Sequence, residues 1–437
     1  MKIILAATPA TGHLDPLLGI GRLLVEQGHE VLLYSGSAFR ERAETIGARF
    51  EPLPAGADFD LRDPDACFPA RAGLTGPEII EFDFRHIFTD PLPQQYAGLK
   101  KLLAAFPADI VITEQLFLGA LPLIFEGGAD RPVVIGCGIT FLSLDRSDGL
   151  PHGLGLDYAA DADVRAHLQQ TLLPEVMAAL APIQSMYEDA ARATGVEPKG
   201  SPIGAMARYA DIFWQGGVPE IEFPLGDVPE HLAFVGRWPA APSAAPPPAW
   251  ADDLDGRRTV VLVTQGTVAN ADLDQLVLPT IRALAGRDDL LVLGTTGRRP
   301  LPLAPSALPA NARLETYLPF DWLMPKVDIL VTNGGYGTVL MGLAEGAPVI
   351  IAGASEDKPD IAARIGWAKA GINLRTGTPS EASLAEAVDR VLVDAEIKAS
   401  VARIARSIET HDATAIILDA IDRIAAARQG KERTRAA

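Results

Sequence analysis

Asp328-Ile-Leu-Val-Thr-Asn-Gly-Gly-Tyr-Gly-Thr338 runs a short aliphatic strand into a glycine-rich turn, and the residues after it carry a helix pattern. Ile329, Leu330 and Val331 feeding Gly334, Gly335 and Gly337 let the main chain approach a phosphate closely. The following helix adds unpaired N–H groups and the positive end of its dipole. The alternative is a tight strand-to-helix turn in an ordinary α/β fold.

A second device of the same kind opens the chain. Met1 to Ala7 is an apolar strand, Thr8-Pro-Ala-Thr-Gly-His13 a loop, and Leu14 to Glu26 a helix with apolar residues at Leu17, Leu18, Ile20, Leu23 and Leu24. His13 is thereby expected on a loop at the carboxyl end of the first strand, the edge where open α/β sheets bind ligands.

The alternation continues on both sides of a break. Strands are predicted at Ile3 to Ala7, Val31 to Ser35, Asp109 to Thr113, Val133 to Cys137 and Ile212 to Gln215. Others follow at Val260 to Thr264, Leu290 to Leu293, Leu314 to Leu318, Ile329 to Thr332 and Val349 to Ala352. Between the two sets lies Trp238-Pro-Ala-Ala-Pro-Ser-Ala-Ala-Pro-Pro-Pro248, too rich in proline for a strand or helix interior. The expected organisation is therefore α/β, with two doubly wound parallel-sheet domains at 1–237 and 257–415 joined by a linker at 238–256. A helix and tail at 416–437 complete the chain and are placed to pack back on the first domain. Two irregular stretches, Ala55 to Pro93 and Thr140 to Gly204, read as insertions that carry specificity.

Composition narrows the function. At 437 residues and 48% hydrophobic the chain supports more than one well-cored domain. A formal charge of −18 argues against nucleic acid and anionic membranes as partners, so an anionic substrate must be held by local devices such as helix N-termini. Cys67 and Cys137 supply neither a disulfide framework nor a metal cluster. Without an apolar run near the length of a membrane span, the expectation is a soluble, cytoplasmic protein, monomeric or homodimeric.

These motifs resemble the GT-B glycosyltransferases, specifically the inverting family that moves sugars from nucleotide donors onto small lipophilic acceptors, as plant, macrolide and sterol enzymes do. The resemblance spans nearly the whole chain and is carried by Thr11-Gly-His13-Leu-Asp-Pro16, Thr264-Gln-Gly-Thr267, Tyr317-Leu-Pro-Phe-Asp-Trp-Leu-Met-Pro325, the glycine-rich turn, and Gly346-Ala-Pro-Val-Ile-Ile-Ala-Gly-Ala-Ser-Glu-Asp-Lys358. It implies His13 as general base for an acceptor hydroxyl and Glu114, where the family more often has aspartate, as the carboxylate behind it. It also implies donor contacts from Gly12, Gly266, Thr267, Leu318, Phe320, Asn333, Gly334, Gly335, Gly337, Thr338, Asp357 and Lys358, with Asp357 on sugar hydroxyls. No metal and no cofactor beyond the nucleotide-sugar co-substrate are implied.

The chain departs from the family pattern at four places. Asn333 stands for a histidine, Met341 for the glutamate that holds the ribose hydroxyls, Lys358 for a glutamine, and Phe320 for another glutamine. Met341 cannot accept a hydrogen bond from a 2′-hydroxyl, which makes a dTDP-sugar as serious a donor candidate as a UDP-sugar. For the acceptor, Phe84, Phe88 and Phe141, with Phe68, Phe82 and Leu142, are candidates to line an apolar cavity, or else to pack a local helical cap. A dinucleotide oxidoreductase is excluded because Ala10-Thr-Gly-His-Leu-Asp15 lacks the Gly-x-Gly-x-x-Gly turn. A nucleotide-sugar epimerase of the same fold and a non-catalytic helper protein remain as alternatives.

Overall fold

The structure is a computed structural model and describes residues 1–128, 130–240, 245–266 and 270–436, with side chains through residue 430. Thr267 and part of the proline-rich segment therefore lie outside the described residues.

Seven strands form the first sheet: β1 (Lys2–Ala6), β2 (Glu30–Ser35), β3 (Arg49–Pro52), β4 (Ile110–Glu114), β5 (Val133–Gly138), β6 (Ile212–Gln215) and β7 (Leu232–Phe234). Their order is β3-β2-β1-β4-β5-β6-β7, parallel throughout. The second sheet contains β8 (Thr259–Thr264), β9 (Leu290–Thr295), β10 (Ala312–Glu315), β11 (Ile329–Thr332), β12 (Val349–Ile351) and β13 (Gly371–Asn373), in the order β10-β9-β8-β11-β12-β13, again parallel. Central strands such as β4 and β11 are buried along their whole length, because helices cover both faces of a parallel sheet and demand near-continuous Ile, Leu and Val.

Each sheet reverses its winding once, between β1 and β4 in the first domain and between β8 and β11 in the second. At such a reversal the loops leaving adjacent strands diverge to opposite faces and open a crevice. His13 follows β1, and Glu114 ends β4; Gly266 follows β8, and Asn333 follows β11. The candidate residues thus converge on the two switch points.

The strands missing from the sequence expectation, β3, β7 and β13, are three or four residues long and lie at or near a sheet edge, where only part of each side chain is buried. The stretch Thr140 to Gly204 is less irregular than expected. It contains helices Ala162–Thr171 and Leu173–Arg192, the second burying Val176, Ile183, Tyr187 and Ala191 along one face. Pro174 sits in its first turn, where a missing N–H costs nothing.

The C-terminal helix Ala413–Ala436 crosses back to the first domain. Ile417 and Ile421 share a fully buried cluster with Ile3, Leu5, Leu14 and Trp214. Farther along, the Arg428 guanidinium reaches Asp109, just before β4, with Nε 3.2 Å from Oδ1. Among the described residues no helix is long and apolar enough to cross a membrane.

Candidate active site

His13 lies in the first turn of the helix Thr11–Glu26, not on the preceding loop as expected. The helix begins early because Thr8-Pro9 ends the strand and the Ala10 carbonyl already accepts from the N–H groups of His13 and Leu14, at 3.1 and 3.0 Å. A helical backbone fixes the imidazole more firmly than a loop does. Its Nδ1 lies 3.2 Å from Oε2 of Glu114; the histidine side chain is 21% exposed and the glutamate fully buried. Glu114 is itself held by main-chain donors, Thr8 N at 3.2 Å to Oε1 and Leu116 N at 2.7 Å to Oε2.

The electrostatics follow from this packing. Burial would lower the His13 pKa, but Glu114, helped by Asp357 and Glu356 of the other domain, outweighs it and raises the value. Burial would raise Glu114; His13 and the Thr8 and Leu116 donors reverse that and hold it low. A carboxylate on Nδ1 selects the tautomer with Nε2 free to accept a proton and stabilises the imidazolium that results.

On the facing domain, β11 ends in Thr332, Asn333 turns back, and Gly335 caps the helix Tyr336–Ala344, whose first N–H groups have no partner within the helix. Gly334 has φ +103, and a Cβ there would sit 2.9 Å from Ile351 Cγ2, so this position admits glycine. Asn333 is buried and spends its Nδ2 on the Gln265 carbonyl at 2.7 Å. Gly337 is exposed and Thr338 half-buried at the helix start. Gly266 has φ +70 and its N–H reaches Thr264 Oγ1 at 3.1 Å. Lys358 begins the helix Lys358–Trp367, with Asp357 at its cap, and pairs with Glu356.

Gly12 is exposed in the same helical turn as His13, with open space where a Cβ would project. Leu318 is buried in the core of the second domain, and Phe320 packs against that core. Phe141 is 4% exposed and packs with His152 (5.3 Å between ring centroids) under the Arg364 guanidinium at 4.2 Å. Leu142 is fully buried in the first domain's core. These two belong to packed interior.

Phe84 and Phe88 do come to the site. The helix Pro77–Asp83 passes into a wider π-helical turn, Phe84–Thr89, in which Asp90 N bonds Arg85 O at 2.8 Å. The Phe88 ring stacks 6.1 Å from His13, and Phe84 lies 5.5 Å from Phe88. Phe68 and Phe82 form a neighbouring cluster with Phe59 and His86.

Contacts across the domains tie the two switch points together, and these were not foreseen. Thr140 Oγ1 donates to Asp357, and Gln215 Nε2 donates to the Thr140 carbonyl at 2.7 Å. The Tyr336 hydroxyl, in the first turn of the glycine-rich helix, donates to the Gly216 carbonyl at 2.7 Å. Below them Arg364 Nε meets Glu222 Oε2 at 2.7 Å, both about 2% exposed, and Asp360 accepts from the N–H groups of Gly153 and Gly155 at 3.0 Å each. Gln265 also escaped notice, although a polar residue between a buried strand and a glycine at a switch point is a usable signal. It is 2% exposed, and its Oε1 accepts from Val277 N at 3.1 Å.

Two parallel-sheet domains with facing switch points, a histidine–carboxylate pair on one and a glycine-rich turn on the other, have the architecture of a GT-B transferase. Comparison with known proteins agrees. Residues 285–420 match the family described as Erythromycin biosynthesis protein CIII-like, C-terminal domain. The chain is 39% identical over 429 residues to 4′-demethylrebeccamycin synthase of Lentzea aerocolonigenes, covering 97% of this chain and 98% of that one. It is 32% identical to UDP-glucosyltransferase A1 of Starmerella bombicola, covering 97% and 92%. The crystal structure of the glycotransferase of kitacinnamycin superposes with a TM-score of 0.72 at 18% identity, over 97% of this chain and 98% of that one. The chain belongs to the family 1-like GT-B glycosyltransferases and is a glycosyltransferase enzyme. The epimerase and the non-catalytic helper find no support in these relatives.

Proposed function

We propose that this enzyme transfers a hexose or deoxyhexose from a UDP- or dTDP-sugar to a hydroxyl group of a small lipophilic or aromatic natural product, with inversion at the anomeric carbon. The observation that carries this is the pair His13–Glu114 at one switch point, opposite the Asn333–Thr338 turn at the other.

In this mechanism the acceptor hydroxyl lies against Nε2 of His13 and gives up its proton as its oxygen attacks C1 of the sugar. Glu114 acts as a positioning residue, with Oε2 3.2 Å from Nδ1 and its charge stabilising the imidazolium. The bond from C1 to the diphosphate oxygen breaks on the opposite face, and its electron pair leaves with the nucleotide. The turn and the helix behind it favour the charge that develops there. In this reading Asp357 accepts from sugar hydroxyls, and Phe84 and Phe88, stacked beside the base, cover an apolar acceptor.

The relatives, a UDP-glucosyltransferase and a demethylrebeccamycin synthase, support a nucleotide-sugar donor and a natural-product acceptor for this chain as well. The test is transfer to phenolic and polycyclic acceptors from α-linked UDP- and dTDP-sugars, with the product's anomeric configuration read by proton NMR. A β-glycoside is expected; an α-glycoside overturns the direct displacement.

A further inference from the structure

We infer that Lys358 is the cation that stabilises the departing nucleoside diphosphate, and that Glu356 holds its ammonium group until the donor enters. The inference rests on the transfer reaction proposed above.

A lysine is seldom buried, yet the side chain of Lys358 is 7% exposed. Its stem lies on the glycine-rich turn: a Cβ placed on Gly334 would be 3.4 Å from Lys358 Cβ, and one on Gly353 only 2.9 Å from it. Lys358 also lines a small, open depression with Gln265, Asn333, Gly353, Ser355 and Gly377. The depression therefore brings together a polar floor, the turn that follows β11 and one buried ammonium.

The partner of that ammonium is poorly suited to be its permanent one. Glu356 is 40% exposed and stands at φ +57, a left-handed conformation that a glutamate rarely adopts. Burial would raise the Glu356 pKa, but Lys358 first and then the nearby Arg71 guanidinium lower it. The carboxylate is thus not left bare when the ammonium moves away.

The reaction needs a cation here. As C1 passes from the diphosphate oxygen to the acceptor oxygen, the C1–O(phosphate) electron pair stays on the diphosphate, and the hydroxyl proton goes to His13. One further negative charge collects on the leaving group. Asn333 is neutral, a helix N-terminus offers only about half a charge, and the chain as a whole carries −18. Lys358 supplies a full charge at the turn, already desolvated, which is where such a charge acts most strongly.

Calorimetry on the full chain tests this with UDP and dTDP against uridine and thymidine. Lys358→Met is expected to weaken both diphosphates by about tenfold or more while leaving the nucleosides unchanged, and Lys358→Arg to recover most of the loss. Glu356→Gln frees the ammonium and is expected to tighten diphosphate binding. It also remains informative if Lys358→Met does not fold. Equal loss for diphosphates and nucleosides, no loss in Lys358→Met, or weaker diphosphate binding in Glu356→Gln overturns the assignment of Lys358 alone. If the unaltered chain binds neither diphosphate, the transfer reaction falls with it.

Discussion

Nδ1 of His13 lies 3.2 Å from Oε2 of Glu114, and the two residues are delivered by β1 and β4, the neighbouring strands at which the first sheet reverses its winding. The pair is thus a product of topology. Ile3 pairs with Ile110 and Ala6 with Thr113, which brings Glu114, the last residue of β4, beside the helix that follows β1 and carries His13 in its first turn. Replacing His13 with alanine is expected to lower kcat by about 10²- to 10⁴-fold while nucleotide binding is kept. Stopped-time transfer assays beside calorimetry measure the two separately.

The same pair sets a pH profile. The base works only when neutral, and its pKa is raised above the ordinary 6.5, so kcat/KM should fall on acidification with a midpoint above 6.5. In Glu114→Gln the largest remaining influence on His13 is burial, which lowers its pKa. The acid limb should then move to lower pH while the plateau rate drops. For stability the signs are opposite within the pair. The raised His13 contribution is complete below 6.5 and lost as pH climbs through its folded value, and the lowered Glu114 contribution is present above 4.5 and lost as pH falls through its own. An unshifted limb in Glu114→Gln removes Glu114 from this role.

How much of this was legible depended on how local the signal was. β6 and β11 match their expected limits residue for residue, because a strand covered on both faces is apolar nearly throughout, whether aromatic as in Phe213-Trp214 or aliphatic as in Ile329-Leu330-Val331, and is bounded by turn residues. His13 stands out by its place after the first strand, although it lies in the first turn of the helix and not on the loop, and Glu114 only through the family resemblance. Phe141 shows the limit. Its aromatic neighbourhood suggested either a cavity wall or a local packing cap, yet Arg364, more than 200 positions later, lies on its ring, and no local pattern announces that contact. The links Thr140–Asp357 and Tyr336–Gly216 are likewise properties of the domain interface.

Two glycines offer a steric test of the donor side. A Cβ on Gly353 would stand 1.9 Å from the Asn333 carbonyl oxygen, and Gly334 combines φ +103 with a contact to Ile351. Gly353→Ala is expected to displace the Asn333 turn and abolish measurable nucleotide binding. Gly334→Ala should cost about 1–2 kcal/mol from its left-handed backbone alone. Gly337, with open space around it, should accept alanine with little loss of fold. Thermal melting with and without nucleotide distinguishes the three.

The buried ion pair between domains should be costly to break. Arg364 and Glu222 are both about 2% exposed, so Glu222→Gln leaves the guanidinium with less charge compensation and is expected to destabilise by about 3 kcal/mol. Asp360, 3.7 Å from Arg364, limits the loss. Chemical denaturation measures it, and a change below 0.5 kcal/mol on the scale of ordinary surface substitutions would show that the pair contributes nothing.

Donor choice turns on Met341, which is partly buried against the second domain's core and offers no acceptor for a ribose 2′-hydroxyl. Binding UDP would desolvate that hydroxyl without a partner, at about 1–3 kcal/mol, whereas dTDP lacks it. dTDP is therefore expected to bind at least as tightly as UDP, and Met341→Glu to shift the ratio toward UDP. Calorimetry showing tenfold tighter UDP binding in the unaltered chain would refute the role given to Met341.

Acceptor choice should rest on the π-helical turn. Phe88 stacks at 6.1 Å from His13 and Phe84 at 5.5 Å from Phe88, so an aromatic acceptor presenting its hydroxyl to Nε2 would meet these rings first. Neither phenylalanine is fully buried, and removing one takes away a wall without opening a core cavity. Phe88→Ala is expected to raise the acceptor KM by about tenfold, the order of one lost aromatic contact, and to change the ranking among planar and bulky acceptors. The donor KM should stay within about twofold, since these rings belong to the first domain. Phe141→Ala should behave differently: it strips a buried ring from beneath Arg364, so the expected loss is about 3–5 kcal/mol of stability with the acceptor ranking intact. If Phe88→Ala instead lowers the melting temperature and leaves every acceptor KM unchanged, the turn packs the fold and the acceptor lies elsewhere.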